Sequence, residues 1–389
     1  MTISAAPGEL VAIDLLPGPR WVEVVEELWG RGVAFLPLDT RLTERERRVI
    51  VDRASPALIL SEDEETWFAD GARVDERIGI VVPTSGTVGT AKLAEISRSA
   101  VRAALDISAG ALALEPHHVW VACLMPAHVG GLLVVLRGVE GGYPLEVHAR
   151  FDPARLVAQA PCWASVVPTM VRRLLAEDAD LVGLSLLVGG GALDPRLRDD
   201  AERRGATIVE TYGLTETTGG IAYDGRLLAG TRARLDATGA IELRGPTVMD
   251  GYRHDPQGTA HAFTVDGWLR TGDLGRIADD GTITVEGRAD DAIRSGGERI
   301  WPEEVEAVLR DHPKVADAAV AGRPDLEWGE HVAAWVVPRL IDEPPTLEEL
   351  RGFAKERLSS FKAPRELFLV PDVPRTSTGK IRRRDLPEG

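Results

Sequence analysis

The segment Thr84-Ser85-Gly86-Thr87-Val88-Gly89-Thr90-Ala91-Lys92 packs hydroxyls, glycines and a lysine into nine positions directly after the run IGIVVP. Such a composition lets backbone N–H groups wrap around phosphate oxygens while an ammonium offsets their charge. It is not a P-loop: the Gly86-x-x-Gly89-x-x-Lys92 interval is short, and Leu93 stands where a magnesium-binding Ser or Thr would be. An ordinary polar turn is the competing reading. In Thr211-Tyr212-Gly213-Leu214-Thr215-Glu216, a hydroxyl beside a carboxylate can hold a hard cation, and an aromatic ring can stack on a purine. A helix-capping threonine would also explain this segment. Asp273, in Trp268-Leu269-Arg270-Thr271-Gly272-Asp273, sits at a strand end where a carboxylate can accept from ribose hydroxyls, although Asp is also common in tight turns.

Two further stretches carry charge and glycine together. They are Gly287-Arg288-Ala289-Asp290-Asp291 with Ser295-Gly296-Gly297-Glu298, and the tail Pro374-Arg375-Thr376-Ser377-Thr378-Gly379-Lys380. The chain uses lysine sparingly, at 92, 314, 355, 362 and 380 among 45 basic residues. Retaining lysine at Lys92 and Lys380 points to a need for a compact ammonium there rather than a planar fork.

Taken in order and spacing, these motifs resemble the adenylate-forming superfamily of acyl-CoA synthetases, nonribosomal adenylation domains and luciferases, from about residue 35 to the end. The resemblance implies an ATP-dependent enzyme that joins a carboxylic acid to AMP, releases pyrophosphate, and passes the acyl group to coenzyme A. It implies that Thr84 to Lys92 orients the β,γ-phosphates, with Thr84, Ser85, Gly86, Thr87, Gly89 and Lys92 as contacts. Gly189, Gly190 and Gly191 would border the adenine together with Tyr212 and Gly213. Thr215 and Glu216 would hold the phosphates and Mg²⁺, Asp273 the ribose, and Arg288 would lie near the ribose and phosphates. Lys380 would be the adenylation lysine, Asp290 the hinge, and Gly296 and Gly297 the path of pantetheine after rotation. His128 would sit by the acyl pocket and the CoA tunnel as a catalytic residue, though an isolated histidine is more often a core residue. LMPAHVGGLLVVLRGV, WASVVPTMVRRLL, LVGGGALDPRLR and VETYGLTETTGGIAYDG are most similar to o-succinylbenzoate–CoA ligases of menaquinone synthesis. The alternative is another aryl-CoA ligase, or a free-standing enzyme that charges a carrier protein. Thr217, Thr218, Gly219 and Gly220 would line the aryl pocket. Departures are Val88 in place of a second hydroxyl, Arg294 in place of a frequent lysine, and an early phosphate loop that implies a shortened N-terminal subdomain.

The elements that must position these residues read as α/β. Trp21, Val24, Val25 and Leu28 recur at helical spacing, VAFLPLD and ALIL read as buried strands, and Thr43 with Glu46 forms a capping box. Alternation of this kind predicts helix-covered sheets. From about 231 the short strands AIELRG, WLRTGDLG and TITVEG predict a β-rich subdomain. Pro302 suits a helix N1 position, and Thr346 with Glu349 opens a further helix. The expectation is a large domain over 1–287 and a small, mobile α+β domain over 288–389.

Bulk properties narrow the class. With 389 residues there is ample core, and a net charge of −16 argues against non-specific nucleic-acid binding. Cys123 and Cys162 read as buried free thiols, and no segment reads as a leader or a membrane span. The expected setting is cytoplasmic, with small molecules as partners and a homodimer entertained as the assembly.

Overall fold

The pattern Trp21, Val24, Val25 and Leu28 becomes the buried face of the helix Pro19–Gly30, with proline at its first turn. The capping box at Thr43 opens Glu44–Ala54: the Thr43 hydroxyl accepts from the Glu46 N–H, and the Glu46 carboxylate accepts from the Thr43 N–H. The second box, at Thr346, opens Leu347–Lys355 in the same way. The computed structural model describes residues 3–62, 64–84, 92–375 and 381–387.

The chain divides into two compact units. The first comprises Met1–Arg234, Glu242–Thr271 and Ile277–Ile283; the second comprises Leu235–Ile241, Gly272–Arg276 and Thr284–Gly389. The first holds two seven-stranded sheets. In one, Leu10–Asp14 pairs in parallel with Ala34–Pro37 and Leu58–Ser61, and Ile78–Pro83 continues from Ala34–Pro37. Leu93–Ser97 then returns antiparallel to Ile78–Pro83, and the short strand Gly251–Tyr252 closes that edge. In the other sheet, Leu145–Val147, Trp120–Ala122, Cys162–Val166, Leu184–Val188 and Thr207–Leu214 run in parallel order. Gly219–Tyr223 folds back antiparallel on Thr207–Leu214. Val11, Phe35, Ile80, Leu132 and Leu136 belong to one continuous apolar core. These strands read as near-continuous apolar runs because both faces are covered.

In the second unit, Ile293–Ser295, Glu298–Ile300, Val315–Asp325, Gly329–Pro338 and Glu366–Leu369 form a five-stranded sheet. Helix Pro302–Arg310 has proline at N1 and Glu303 and Glu304 in its first turn, where the helix dipole favours anions. It buries Val305 and Leu309 against Val320 and Val332. Helix-covered sheets plus a small α+β unit match the fold class read from the sequence. The boundary strands Arg232–Leu235, Ala240–Arg244, Leu269–Ile277 and Ile283–Arg288 are those expected from the Gly/Asp-punctuated segment.

Candidate functional site

Thr84 and Lys92 are the two ends of the glycine–hydroxyl segment, and a backbone hydrogen bond of 2.8 Å from Thr84 N–H to the Lys92 carbonyl clasps them. Ser85, Gly86, Thr87 and Gly89 lie outside the described residues. Lys92 Nζ stands 4.6 Å from the ring centroid of Tyr252. The Tyr252 hydroxyl donates to Glu216 Oε1 at 2.8 Å. Structure therefore brings Lys92 and Glu216, 124 positions apart in numbering, onto one tyrosine that the sequence reading passed over. Among the described residues no cation is shown paired with the Glu216 carboxylate, and no group of three or more metal-binding side chains occurs. One carboxylate with a neighbouring hydroxyl at Thr215 is a donor set that fits a magnesium ion sharing its shell with phosphates, not a dedicated protein cage.

Thr215 starts the single 3₁₀ turn Thr215–Thr217 between the strands Thr207–Leu214 and Gly219–Tyr223. The turn is possible because Gly213 has no side chain: a Cβ there would stand 2.0 Å from the Gly219 carbonyl oxygen. Thr217 and Thr218 are fully buried, and their hydroxyls bond the Gly219 and Thr247 carbonyls. They brace this turn through those bonds. Gly189 to Gly191 follow Leu184–Val188, one strand over; a Cβ on Gly189 would stand 2.7 Å from Thr211 Cγ2. Tyr212 and Gly213 lie on Thr207–Leu214, beside that turn.

His128 is the N-cap residue of the helix Val129–Val139. Its Nε2 lies 3.3 Å from Asp39 Oδ2 and 3.3 Å from Arg41 Nη2. Asp39 is buried and receives Arg41 Nε, Arg41 Nη2 and the Arg41 backbone N–H at 2.8–3.0 Å. Burial alone would raise the Asp39 carboxyl, but these donors together with His128 hold it well below the ordinary carboxylate range. His128 thus belongs to a polar cluster with Asp39 and Arg41.

The same helix carries Arg137, which is 3% exposed. Its Nη2 donates to Ser108 Oγ at 2.7 Å, that hydroxyl lies 2.5 Å from the Tyr223 hydroxyl, and the guanidinium covers Trp120 at 4.4 Å. Trp120 in turn stacks on Trp163. Arg137 Nε and Nη1 have no hydrogen-bond partner among the described residues, and no carboxylate is paired with the group. Burial depresses its pKa. Thr211 Oγ1, across the strand pair from Tyr223, is likewise buried and unpartnered, next to a Gly220 whose Cβ would stand 2.2 Å from it. Buried donors normally find partners, so Arg137 and Thr211 stand out as buried polar side chains with unmatched atoms among the described residues.

In the second unit Asp273 is buried and takes Arg288 Nη1 at 3.1 Å. Gly272, at φ +73°, lets the guanidinium approach: its Cβ would stand 3.0 Å from Arg288 Nη2. The two residues expected to act separately on the nucleotide are therefore an ion pair here. Asp290 lies in the turn after Ile283–Arg288. Gly296 and Gly297, at φ +60° and +84°, form the turn between Ile293–Ser295 and Glu298–Ile300, with Trp328 against Gly296. Lys380 lies outside the described residues. Its flanks are pinned: Arg375 bridges Ile381, Arg382 N–H reaches the Pro374 carbonyl, and Arg375 pairs with Asp317 at 2.6 Å.

These elements define an AMP-binding enzyme. The AMP-binding enzyme family matches residues 70–253, and its C-terminal domain family matches residues 304–380. The chain belongs to this family, as the motif resemblance implied. More particularly, it is 38% identical over 331 residues to the probable 2-succinylbenzoate–CoA ligase of Mycobacterium tuberculosis, covering 81% of this chain and 85% of that one. It is 33% identical to the 2-succinylbenzoate–CoA ligase of Bacillus licheniformis, over 97% and 89% of the two chains. The o-succinylbenzoate CoA synthetase of Bacillus subtilis, in complex with its acyl-adenylate intermediate, superposes with a TM-score of 0.89 at 26% identity, over 99% of this chain and 89% of that one. That enzyme has also been solved with ATP and a magnesium ion.

Proposed function

We propose that this chain is an ATP-dependent 2-succinylbenzoate–CoA ligase. It joins the acid to AMP with release of pyrophosphate and then transfers the acyl group to the thiol of coenzyme A. The observation that carries the substrate is Arg137: a buried guanidinium whose Nε and Nη1 are unmatched among the described residues, on the helix capped by His128. Such a group is costly to keep without an anion, and a second carboxylate on the acid supplies one. Thr211, Gly220, Tyr223 and Ser108 lead from the Tyr212 strand to that guanidinium, which supports a reading with the acid between Val129–Val139 and the strand pair.

Adenylation brings a carboxylate against an α-phosphate, so its barrier is largely repulsion and orientation. Thr215 and Glu216 would hold a magnesium ion, which when bound would supply positive charge to the phosphates. Thr84, Ser85, Gly86, Thr87, Gly89 and Lys92 bind the β,γ-phosphates; Gly189 to Gly191, Tyr212 and Gly213 border the adenine; Asp273, oriented by Arg288, accepts from the ribose. Lys380 serves the acid and the α-phosphate. The boundary at 287/288, mobility of the C-terminal part, a pivot at Asp290 and a pantetheine path at Gly296 and Gly297 complete the reading. No helix among the described residues is long and apolar enough to cross a membrane, and we place the enzyme in the cytoplasm with a homodimer as the assembly to be tested.

The test is CoA-dependent AMP release with 2-succinylbenzoate against benzoate, salicylate and a fatty acid. Preference for the dicarboxylate is expected. A higher kcat/KM for a monocarboxylate would favour the alternative of a different aryl-CoA ligase, and acyl transfer only to a carrier protein would replace CoA as acceptor.

A further inference from the structure

We infer that Tyr252 is a positioning residue that holds the Glu216 carboxylate and the Lys92 ammonium in fixed relation. This rests on the reading of Glu216 as the metal-binding carboxylate. Tyr252 lies on the two-residue strand Gly251–Tyr252, whose partner is Leu93–Ser97, with Tyr252 opposite Ala94. The register sets the phenol two residues from Lys92. Its hydroxyl donates to one Glu216 oxygen at 2.8 Å, and its ring faces the ammonium at 4.6 Å.

The scaffold around the tyrosine is tied on both sides. Met249 N–H donates to the Glu216 carbonyl at 2.9 Å, and Asp250 N–H to the Glu95 carbonyl at 2.9 Å. Ser97 N–H donates to Asp250 Oδ2, and the Tyr252 N–H to Thr259 Oγ1. The next residue, Arg253, is buried and binds the Ala54 and Ala72 carbonyls at 2.6 Å. One short segment therefore grips the Thr215–Glu216 turn by its backbone and the Lys92 strand by its register. The ring at its end is 9% exposed and cannot wander.

The chemistry suits a tyrosine. A phenol donor engages one carboxylate oxygen and leaves the other available to an ion, fixing the plane of the group. An aromatic face attracts the ammonium without cancelling its charge, as a carboxylate there would. The ring thus limits where the Lys92 side chain can sit.

The experiment compares full-length Tyr252→Phe, Tyr252→Leu and Glu216→Gln. Three quantities are read: magnesium at half-maximal ATP–pyrophosphate exchange, ATP KM at saturating magnesium, and Mn²⁺ binding to the enzyme–ATP complex by electron paramagnetic resonance without acid. Tyr252→Phe keeps the ring and loses the donor, so metal half-saturation and Mn²⁺ affinity worsen about tenfold, with the melting temperature and ATP KM near wild type. Tyr252→Leu adds a rise of roughly fivefold in ATP KM because Lys92 loses its ring. Wild-type metal parameters in Tyr252→Phe overturn the inference, and equal ATP KM in the Phe and Leu variants overturns its Lys92 half. Unchanged Mn²⁺ binding in Glu216→Gln instead removes the underlying reading of Glu216, whatever Tyr252 does.

Discussion

Replacing Arg137 with methionine separates a stabilising residue from one kept for its ligand. Methionine is unbranched, similar in length and tolerant of irregular space, so the helix Val129–Val139 keeps its packing. In the free enzyme the change forfeits one charge-assisted hydrogen bond to Ser108, about 1.5–3 kcal/mol, and the stack on Trp120, about 1–2 kcal/mol. Against this, it removes a buried and unpaired guanidinium whose desolvation costs several kcal/mol. The free protein is expected to be as stable as wild type, or more stable by about 1–3 kcal/mol. Catalysis moves the other way: losing one partner of a buried charge pair costs about 2–5 kcal/mol, or roughly 30- to several-thousand-fold in kcat/KM for 2-succinylbenzoate. Benzoate has no second carboxylate and should change little. The assays are AMP release with both acids and a thermal melt without ligand. Equal losses on the two acids, or a marked drop in melting temperature with the preference intact, would refute the assignment and make Arg137 a structural residue.

Asp39→Asn should cost about 2 kcal/mol near neutral pH, discounted because Arg41 is half exposed. The native carboxyl titrates below its unfolded value, so the wild-type advantage is complete above about pH 4 and fades as pH falls through the folded pKa; denaturant titrations at pH 7 and pH 3 that give the same difference would contradict this. Lys380→Ala should abolish acid-dependent ATP–pyrophosphate exchange and spare thiolysis of pre-formed acyl-adenylate, whereas equal loss of both half-reactions would remove its assigned role. Gly213→Ala should destabilise the protein by about 1–3 kcal/mol and depress exchange through the displaced Thr215–Thr217 turn; a neutral denaturation midpoint would show that the close approach to Gly219 is not limiting.

What could be read from the sequence was local chemistry. The capping boxes at Thr43 and Thr346, proline at the start of Pro302–Arg310, and strands such as Ile78–Pro83 follow from short-range pattern and are present. Lys92 and Glu216 were legible as types suited to phosphate and metal, because few other jobs require them in such turns. Their common partner was not, since Tyr252 lies 36 residues from Glu216 and reads as an ordinary strand aromatic. Arg137 carried no signal of its own in the sequence; its partners Ser108 and Tyr223 come from other elements, and its burial is visible only in the structure. The buried Thr217 and Thr218 hydroxyls bond backbone carbonyls, contacts that the sequence does not display. His128 needed Asp39 and Arg41, some 87 positions away, to become interpretable.

The stacking of Trp120 on Trp163 beneath the Arg137 guanidinium has a spectroscopic consequence. Indole emission responds to charge at the ring, and an anion arriving on that guanidinium alters the local electric field felt by the excited state. On the proposed reading of Arg137, indole emission is expected to report acid occupancy, with a Trp120→Phe protein as the dark reference among nine tryptophans.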